Sequence, residues 1–454
     1  MKVHFIAIGG SAMHNMAIAL HEKGYQVSGS DDEIFEPSKS RLEKHGLLPQ
    51  KMGWNIENIQ ADLDAVILGM HAKADNPELL KAQELGLKIY SYPEYIYEQS
   101  KDKKRLVIAG SHGKTSITAM VMHVLKQAKL DFDYMVGAQL AGFDTMVRLT
   151  DAPIIVIEGD EYLSSPIDRR PKFFWYKPQH TVISGIAWDH INVFPTFENY
   201  LEQFSQYLAS LPQGSEVYYF EGDKHLSDLV RNSNLPIHHS AYNAHKHKKV
   251  GEKTVLISPD NSEIPLAIFG DHNLQNLSAA KQLCMAAGVN EDLFYQSIST
   301  FKGAAKRLEL IAESNDCLVY KDYAHSPSKL KATTQAVKKQ FSHRKLIAIM
   351  ELHTFSSLNK AFLSEYSGSM SAADEALVYF NPHAIEHKGL SMLSEKDVEE
   401  AFLPSKVKVS SDSKQVQAWL KEKSIINSIV LLMTSGNFDG LNLNDWAQEI
   451  ITNS

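Results

Sequence analysis

Gly110-Ser111-His112-Gly113-Lys114-Thr115-Ser116 has the residue types of a phosphate cradle. Glycines let backbone N–H groups face an anion, and a helix starting directly after them adds partial positive charge. Lys114 is placed to reach the β/γ-phosphates of a nucleotide, and the Thr115 hydroxyl to ligate Mg2+. The strict phosphate-loop pattern asks for four residues between its glycines. Here only Ser111 and His112 stand there, so an ordinary strand-to-helix turn has the same spelling. Downstream, Glu158-Gly159-Asp160-Glu161 closes an apolar run. A strand-end acid after a phosphate loop supplies a second Mg2+ contact, and a solvated acidic turn is the plain alternative. Asp189-His190 follows another apolar run and suits either a metal or a helix cap. His272-Asn273 with Asn276 could present ring and amide groups to a base, or cap a helix and form its polar first turn.

These groups need elements to hold them. Leu106–Ala109 is a short apolar run, a buried strand, and Met120, Val121, Val124 and Leu125 recur at helical spacing after the glycine turn. Pro153–Glu158 and the run from His180 predict further strands. At the start of the chain, Val3–Ile8 predicts a strand and Gly9-Gly10-Ser11-Ala12-Met13 a turn into a helix ending at Gly24. A second strand then ends in Asp31. This is a β-α-β unit with an acid after its second strand, as in dinucleotide folds. Its glycine fingerprint is incomplete, because Ala7 and Ala12 stand at the outer glycine positions, and a purely structural β-α-β fits equally. Beyond residue 303, Arg307, Asp322-Tyr323-Ala324-His325-Ser326-Pro327 and four more apolar runs alternate with helical patterns. That alternation predicts a third, mostly parallel α/β domain. The His- and Lys-rich stretch 238–250 has no regular ligand spacing and is expected as a solvated loop.

The chain of 454 residues is too long for one ordinary core, and 44% hydrophobic residues exclude wholesale disorder. Lys+Arg 46 against Asp+Glu 54, with no long basic run, argues against nucleic acid. Two cysteines, Cys284 and Cys317, supply no disulfide framework and suit a reducing cytoplasm. No stretch approaches membrane-spanning length, so a cytoplasmic protein without membrane insertion is expected.

Taken in order, the motifs resemble those of the Mur ligases, the ATP-dependent amide-forming enzymes of peptidoglycan assembly. Ala109–Thr115 resembles the family's phosphate loop, whose glycines are closer together. Glu158–Glu161 resembles its Glu-Ala-Asp-Glu magnesium motif, with Gly159 for Ala. Asp189-His190, His272-Asn273 with Asn276, and Asp322–Pro327 resemble its second metal site, adenine-side motif and C-terminal nucleotide motif. The opening Gly9–Met13 is similar to members that take UDP-N-acetylmuramate itself. The run Asp160–Tyr162 and then Asp168–Phe173 is similar to those that attach L-Ala-γ-D-Glu-meso-diaminopimelate whole. Glu351–Asn359 lacks the Arg-containing pattern of both branches. The carbamylated lysine of other members falls, by ungapped count from His190, on Ser205.

The resemblance implies an α/β fold of three domains. These are a Rossmann-like UDP-binding domain at 1–101, a central P-loop-type ATP-binding domain at 102–303 and a C-terminal Rossmann-like domain at 304–454. It implies ATP and Mg2+, with Lys114, Glu158 and His190 catalytic and Thr115, Glu158 and His190 on metal. Gly110 to Ser116, His272, Asn273, Asn276, Arg307 and Asp322 would hold ATP. Gly9 to Met13 and Asp31 would hold the UDP part. The implied reaction joins UDP-N-acetylmuramate to the tripeptide through an acyl phosphate, in a monomer or weak dimer. L-Alanine is the alternative acceptor, and a non-catalytic nucleotide-binding regulator the alternative class.

Overall fold

The computed structural model describes residues 1–188, 193–304 and 307–452. They form two compact units: Met1–Ile186 with Glu198–Asn243 and Ala279–Phe294, and Ala187–Phe197 with Ala244–Ser278 and Tyr295–Ser454.

In the first unit, β1 (Lys2–Ile6), β2 (Gln26–Ser30), β3 (Ala65–Leu68) and β4 (Ile89–Ser91) make a parallel sheet in the order β2-β1-β3-β4. The helix Ser11–Glu22 crosses from β1 to β2, completing the expected β-α-β unit. The second sheet holds seven strands: β5 (Lys104–Ala109), β6 (Phe132–Met135), β7 (Val147–Arg148), β8 (Ile154–Glu158), β9 (His180–Ile183), β10 (Glu216–Phe220) and β11 (His238–Tyr242). Its order is β11-β10-β9-β5-β8-β6-β7, so β5 lies between β9 and β8. Parallel pairing sets Ile108 beside Glu158 and Ala109 beside Ile183. The loops leaving β5, β8 and β9 therefore emerge at one carboxyl edge, where ligands of open α/β sheets bind. Leu106 to Ala109 and Ile155 to Ile157 are fully buried, as a sheet covered on both faces requires. Each fully buried aliphatic side chain contributes about 1.5–3 kcal/mol.

In the second unit, β12 (His247–Val250), β13 (Lys253–Ile257) and β14 (Glu263–Leu266) form a small antiparallel sheet. The remaining strands are β15 (Glu309–Glu313), β16 (Cys317–Asp322), β17 (Lys345–Leu352), β18 (Glu375–Phe380), β19 (Lys408–Ser410) and β20 (Ser428–Met433). They assemble as β15-β16-β20-β17-β18-β19, parallel except for β15.

Three main sheets, mostly parallel, bear out the α/β class. The 238–250 stretch corrects an expectation. It contributes the pairing strands β11 and β12 in place of a loop, although His238 to Ala241 and Lys248 to Val250 stay exposed. Its charge is solvated as expected, but polar composition concealed the backbone pairing. Among the described residues no cluster of three or more His, Cys, Asp or Glu side chains could hold a metal. No helix among them is long and apolar enough to cross a membrane.

Candidate functional site

Between β5 and the helix Lys114–Gln127, Gly110 and Gly113 take φ of 112° and 74°, the region that favours glycine. A Cβ on Gly110 would also lie 2.6 Å from the Ser184 backbone nitrogen. Gly113 caps the helix without any side-chain acceptor, which leaves its first-turn N–H groups without a side-chain cap and suits them to an anion. The loop is fastened to β9's exit by the Ser111 amide on the Gly185 carbonyl at 2.9 Å and the Ser184 amide on the Ala109 carbonyl at 3.0 Å. Ser184 Oγ donates to the His112 carbonyl, and Ser116 is buried in the first turn.

Lys114 Nζ donates to the Gly110 carbonyl at 2.7 Å and to Glu161 Oε2 at 2.5 Å. Burial opposes its charge, but Glu161, Asp160 and Glu158 together raise its pKa and keep it an ammonium. Thr115 Oγ1 donates to Glu158 Oε1 at 2.8 Å, and the Gly137 amide to Glu158 Oε2 at 3.0 Å. Burial nonetheless pushes the Glu158 carboxyl up. Asp160 holds Lys172 at 2.8 Å, and the charges of Lys172 and Lys114 overcome its burial to keep it at about 2. Buried Tyr200 lies 3.0 Å from Ser111 Oγ and donates to Glu161 Oε1 at 3.4 Å. Lys114, Thr115 and Glu158 are thus brought together as expected. His190 and Asp189 lie outside the described residues.

At the first sheet, the helix Ser11–Glu22 is capped by Gly10, again without a side-chain acceptor. The Gly9 amide donates to Asp31 Oδ2 at 2.7 Å, and a Cβ on Gly9 would approach that oxygen to 2.9 Å. Burial pushes the Asp31 carboxyl up to about 6. Ser11 is exposed at the turn, Ala12 half-buried, and Met13 buried beneath it. Ala7, at an expected glycine position, takes φ of 68° although it is not glycine. The fold keeps the backbone of the fingerprint where the residue type departs.

In the second unit, Asp322 ends β16 and accepts the Leu308 and Ala324 amides, each at 2.7 Å. Arg307 stacks over Tyr323, 4.5 Å from the ring centre. Asn273 and Asn276 are buried in the first turns of the helix Asp271–Ala286, and Asn273 Nδ2 donates to the Phe269 carbonyl at 2.9 Å. Burial lowers the pKa of His272, against the charge of Asp322. His272 and Asp322, fifty residues apart in sequence, are therefore within electrostatic reach of each other.

Sequence reasoning missed Tyr200 and Gly137, and it singled out Lys172 only as part of the run Asp168–Phe173, without a contact to the acids. None carries a local signal of that contact, since each meets the acid row from a distance in sequence. Asn15 was missed too: its Oδ1 accepts the Met146 amide at 3.0 Å.

Three family profiles match nearly end to end: "Mur ligase family, catalytic domain" at 2–104, "Mur ligase middle domain" at 108–284 and "Mur ligase, glutamate ligase domain" at 306–436. The UDP-N-acetylmuramate–L-alanine ligase of Caldicellulosiruptor bescii is 31% identical over 409 residues, 87% of each chain. The UDP-N-acetylmuramate–alanine ligase structure from Thermotoga maritima has a TM-score of 0.69 at 20% identity, covering 100% of this chain and 98% of that one. The murein peptide ligase structure from Psychrobacter arcticus has a TM-score of 0.63 at 23% identity, again covering 100% and 98%. At those identities the two structures speak for the fold. Profiles and sequence relative together show that this chain belongs to the Mur ligase family of ATP-dependent amide-forming ligases.

Proposed function

We propose that the chain joins the lactyl carboxylate of UDP-N-acetylmuramate to the amine of L-alanine at the expense of ATP. The observation that carries this reading is the polar row at one strand edge: Lys114 paired with Glu161 and Thr115 hydrogen-bonded to Glu158, at an uncapped helix start. L-Alanine is favoured because it is the acceptor named for the curated relatives. A second acceptor, L-Ala-γ-D-Glu-meso-diaminopimelate, is supported by the run Asp168–Phe173 and its resemblance to the tripeptide-adding branch.

A carboxylate oxygen attacks the γ-phosphorus, and ADP leaves with the electron pair of the broken P–O bond. The free-base amine then attacks the acyl carbon. Phosphate leaves, and the surplus N–H proton is lost to it or to solvent. Lys114 stabilises charge on the migrating phosphoryl group, and the loop amides orient it. Thr115 and Glu158 offer hard oxygens side by side, in a place where burial and the nearby charge of Asp160 drive the carboxyl up, which fits Mg2+. Bound there, the ion would neutralise the repulsion between carboxylate and triphosphate. His190 is assigned to a second ion by resemblance alone.

We assign residues 1–101 to the UDP-sugar, 102–303 to ATP and 304–454 to the amine acceptor and adenosine contacts. Gly9 to Met13 and Asp31 take the UDP part. His272, Asn273, Asn276, Arg307 and Asp322 take adenosine. A cytoplasmic site of action suits the buried thiols of Cys284 and Cys317.

Phosphate release with ATP and UDP-N-acetylmuramate, comparing L-alanine, the tripeptide and no amine, tests the reading. Release that depends on L-alanine is expected. Preference for the tripeptide would replace the acceptor, and release without any sugar acid would overturn the ligase reading.

A further inference from the structure

The loop from Asp160 to Phe173 is shaped by its backbone. Ser164 N donates to the Arg170 carbonyl at 2.9 Å, Lys172 N to the Tyr162 carbonyl at 2.9 Å and Phe173 N to the Asp160 carbonyl at 3.3 Å. Leu163 and Pro171 add a further bridge. The returning segment lies directly on the end of β8. A Cβ on Gly159 would come within 2.9 Å of Val107 Cγ1 on β5, so the bare backbone lets this strand end sit against its neighbour, with Phe173 Cβ at ordinary contact distance, 3.5 Å.

With the loop already held, the Lys172 ammonium is not needed to shape it, and a partly exposed ion pair adds little stability. Asp160 and Glu161 are consecutive, with Cα atoms about 3.8 Å apart. Each secures one ammonium: Asp160 holds Lys172 at 2.8 Å and Glu161 holds Lys114 at 2.5 Å. Lys172 is the more open of the two, its side chain 23% exposed against 14% for Lys114. An ammonium has three N–H donors, so Lys172 keeps capacity for a second anion beside Asp160.

We propose that Lys172 is a second cation of the phosphoryl-transfer site and contacts the carboxylate of the sugar acid as it becomes the acyl phosphate. This rests on the ligase reading above. Lys114, bonded to Gly110 and Glu161, is assigned to the migrating phosphoryl group, whereas the reaction also brings a carboxylate against that triphosphate. Lys172 supplies the missing charge on the carboxylate side. It changes no bond itself. The oxygen–phosphorus bond forms and ADP departs, while the ammonium balances the acyl phosphate's charge.

The test is steady-state kinetics of the full chain carrying Lys172→Met and Lys172→Arg, with unfolding temperatures measured alongside. For Lys172→Met, kcat/KM for UDP-N-acetylmuramate is expected to fall roughly 10²-fold. The KM for ATP should stay within about threefold, and Lys172→Arg should recover most of the loss, since it restores the charge. A wild-type kcat/KM in Lys172→Met overturns the proposal. So does a loss that falls equally on ATP, or one that follows the unfolding temperature and is not rescued by Arg. A wild-type chain silent with every acceptor overturns the ligase reading as well, which separates the two failures.

Discussion

The glycine turn before the helix Ser11–Glu22 and the one before Lys114–Gln127 begin alike and are finished differently. Both follow an inner strand of a mostly parallel sheet, and both open a helix whose N-terminus has no side-chain cap. Each is met by a buried acid from a neighbouring strand: Asp31 beside Gly9 and Glu158 beside Thr115. The difference is cationic. The second turn carries Lys114 and is ringed by Glu158, Asp160 and Glu161, while at the first the Asp31 carboxylate and the His14 ring bond the turn's own backbone and the Arg41 guanidinium is spent on Asn15. A turn without a lysine can bind an anion that does not react. One with a lysine between acids can move charge. We therefore give the first turn to holding the UDP part and the second to chemistry.

Substitutions can break this division. Lys114→Ala should cost the most, a fall of about 10³-fold in phosphate release, in the range seen when a phosphoryl-stabilising cation is lost. UDP-N-acetylmuramate binding by calorimetry should stay within about twofold. Loss of that binding would mean the turns share one ligand task. Glu158→Gln should lower kcat by roughly 10²-fold and raise the Mg2+ concentration needed for half-maximal rate. An unchanged Mg2+ requirement would remove Glu158 from the metal.

Asp31→Asn should raise the KM for UDP-N-acetylmuramate about tenfold and leave kcat near wild type, since it removes ground-state binding. The Asp31 carboxyl titrates at about 6, so its ionised form predominates above that pH. Wild-type affinity for the UDP-sugar should therefore weaken between pH 7 and 5, and Asp31→Asn should be flat over the same range. The smallest effect belongs to Ala7→Gly. It relieves a left-handed alanine at roughly 1 kcal/mol, partly offset by the freer unfolded chain. A rise of one or two degrees or less in the first thermal transition is expected, and a fall would show that the alanine side chain is needed.

The two turns were legible because their signals are local. Glycines, an apolar run before them and a helical period after them occupy a dozen neighbouring positions. Asp31 and Glu158 were legible as strand-end acids. Tyr200 and the contact of Lys172 were not, because a tyrosine at a core-facing helix position looks like packing and the run Asp168–Phe173 spells a resemblance without saying what its lysine meets. Their meaning appears only when Ser111, Asp160 and Glu161 arrive beside them. β11 and β12 were hidden for the opposite reason. Exposed His and Lys disguise a strand whose backbone pairs while its side chains stay in water.

The most direct test of the central claim, that the armed turn drives phosphoryl transfer to a carboxylate, is oxygen tracing. UDP-N-acetylmuramate labelled with 18O in its lactyl carboxylate would be turned over with ATP and amine, and the released phosphate analysed by mass spectrometry. Attack by that carboxylate on the γ-phosphorus predicts one labelled oxygen in each phosphate. Unlabelled phosphate, released at the rate of amide formation, would contradict it.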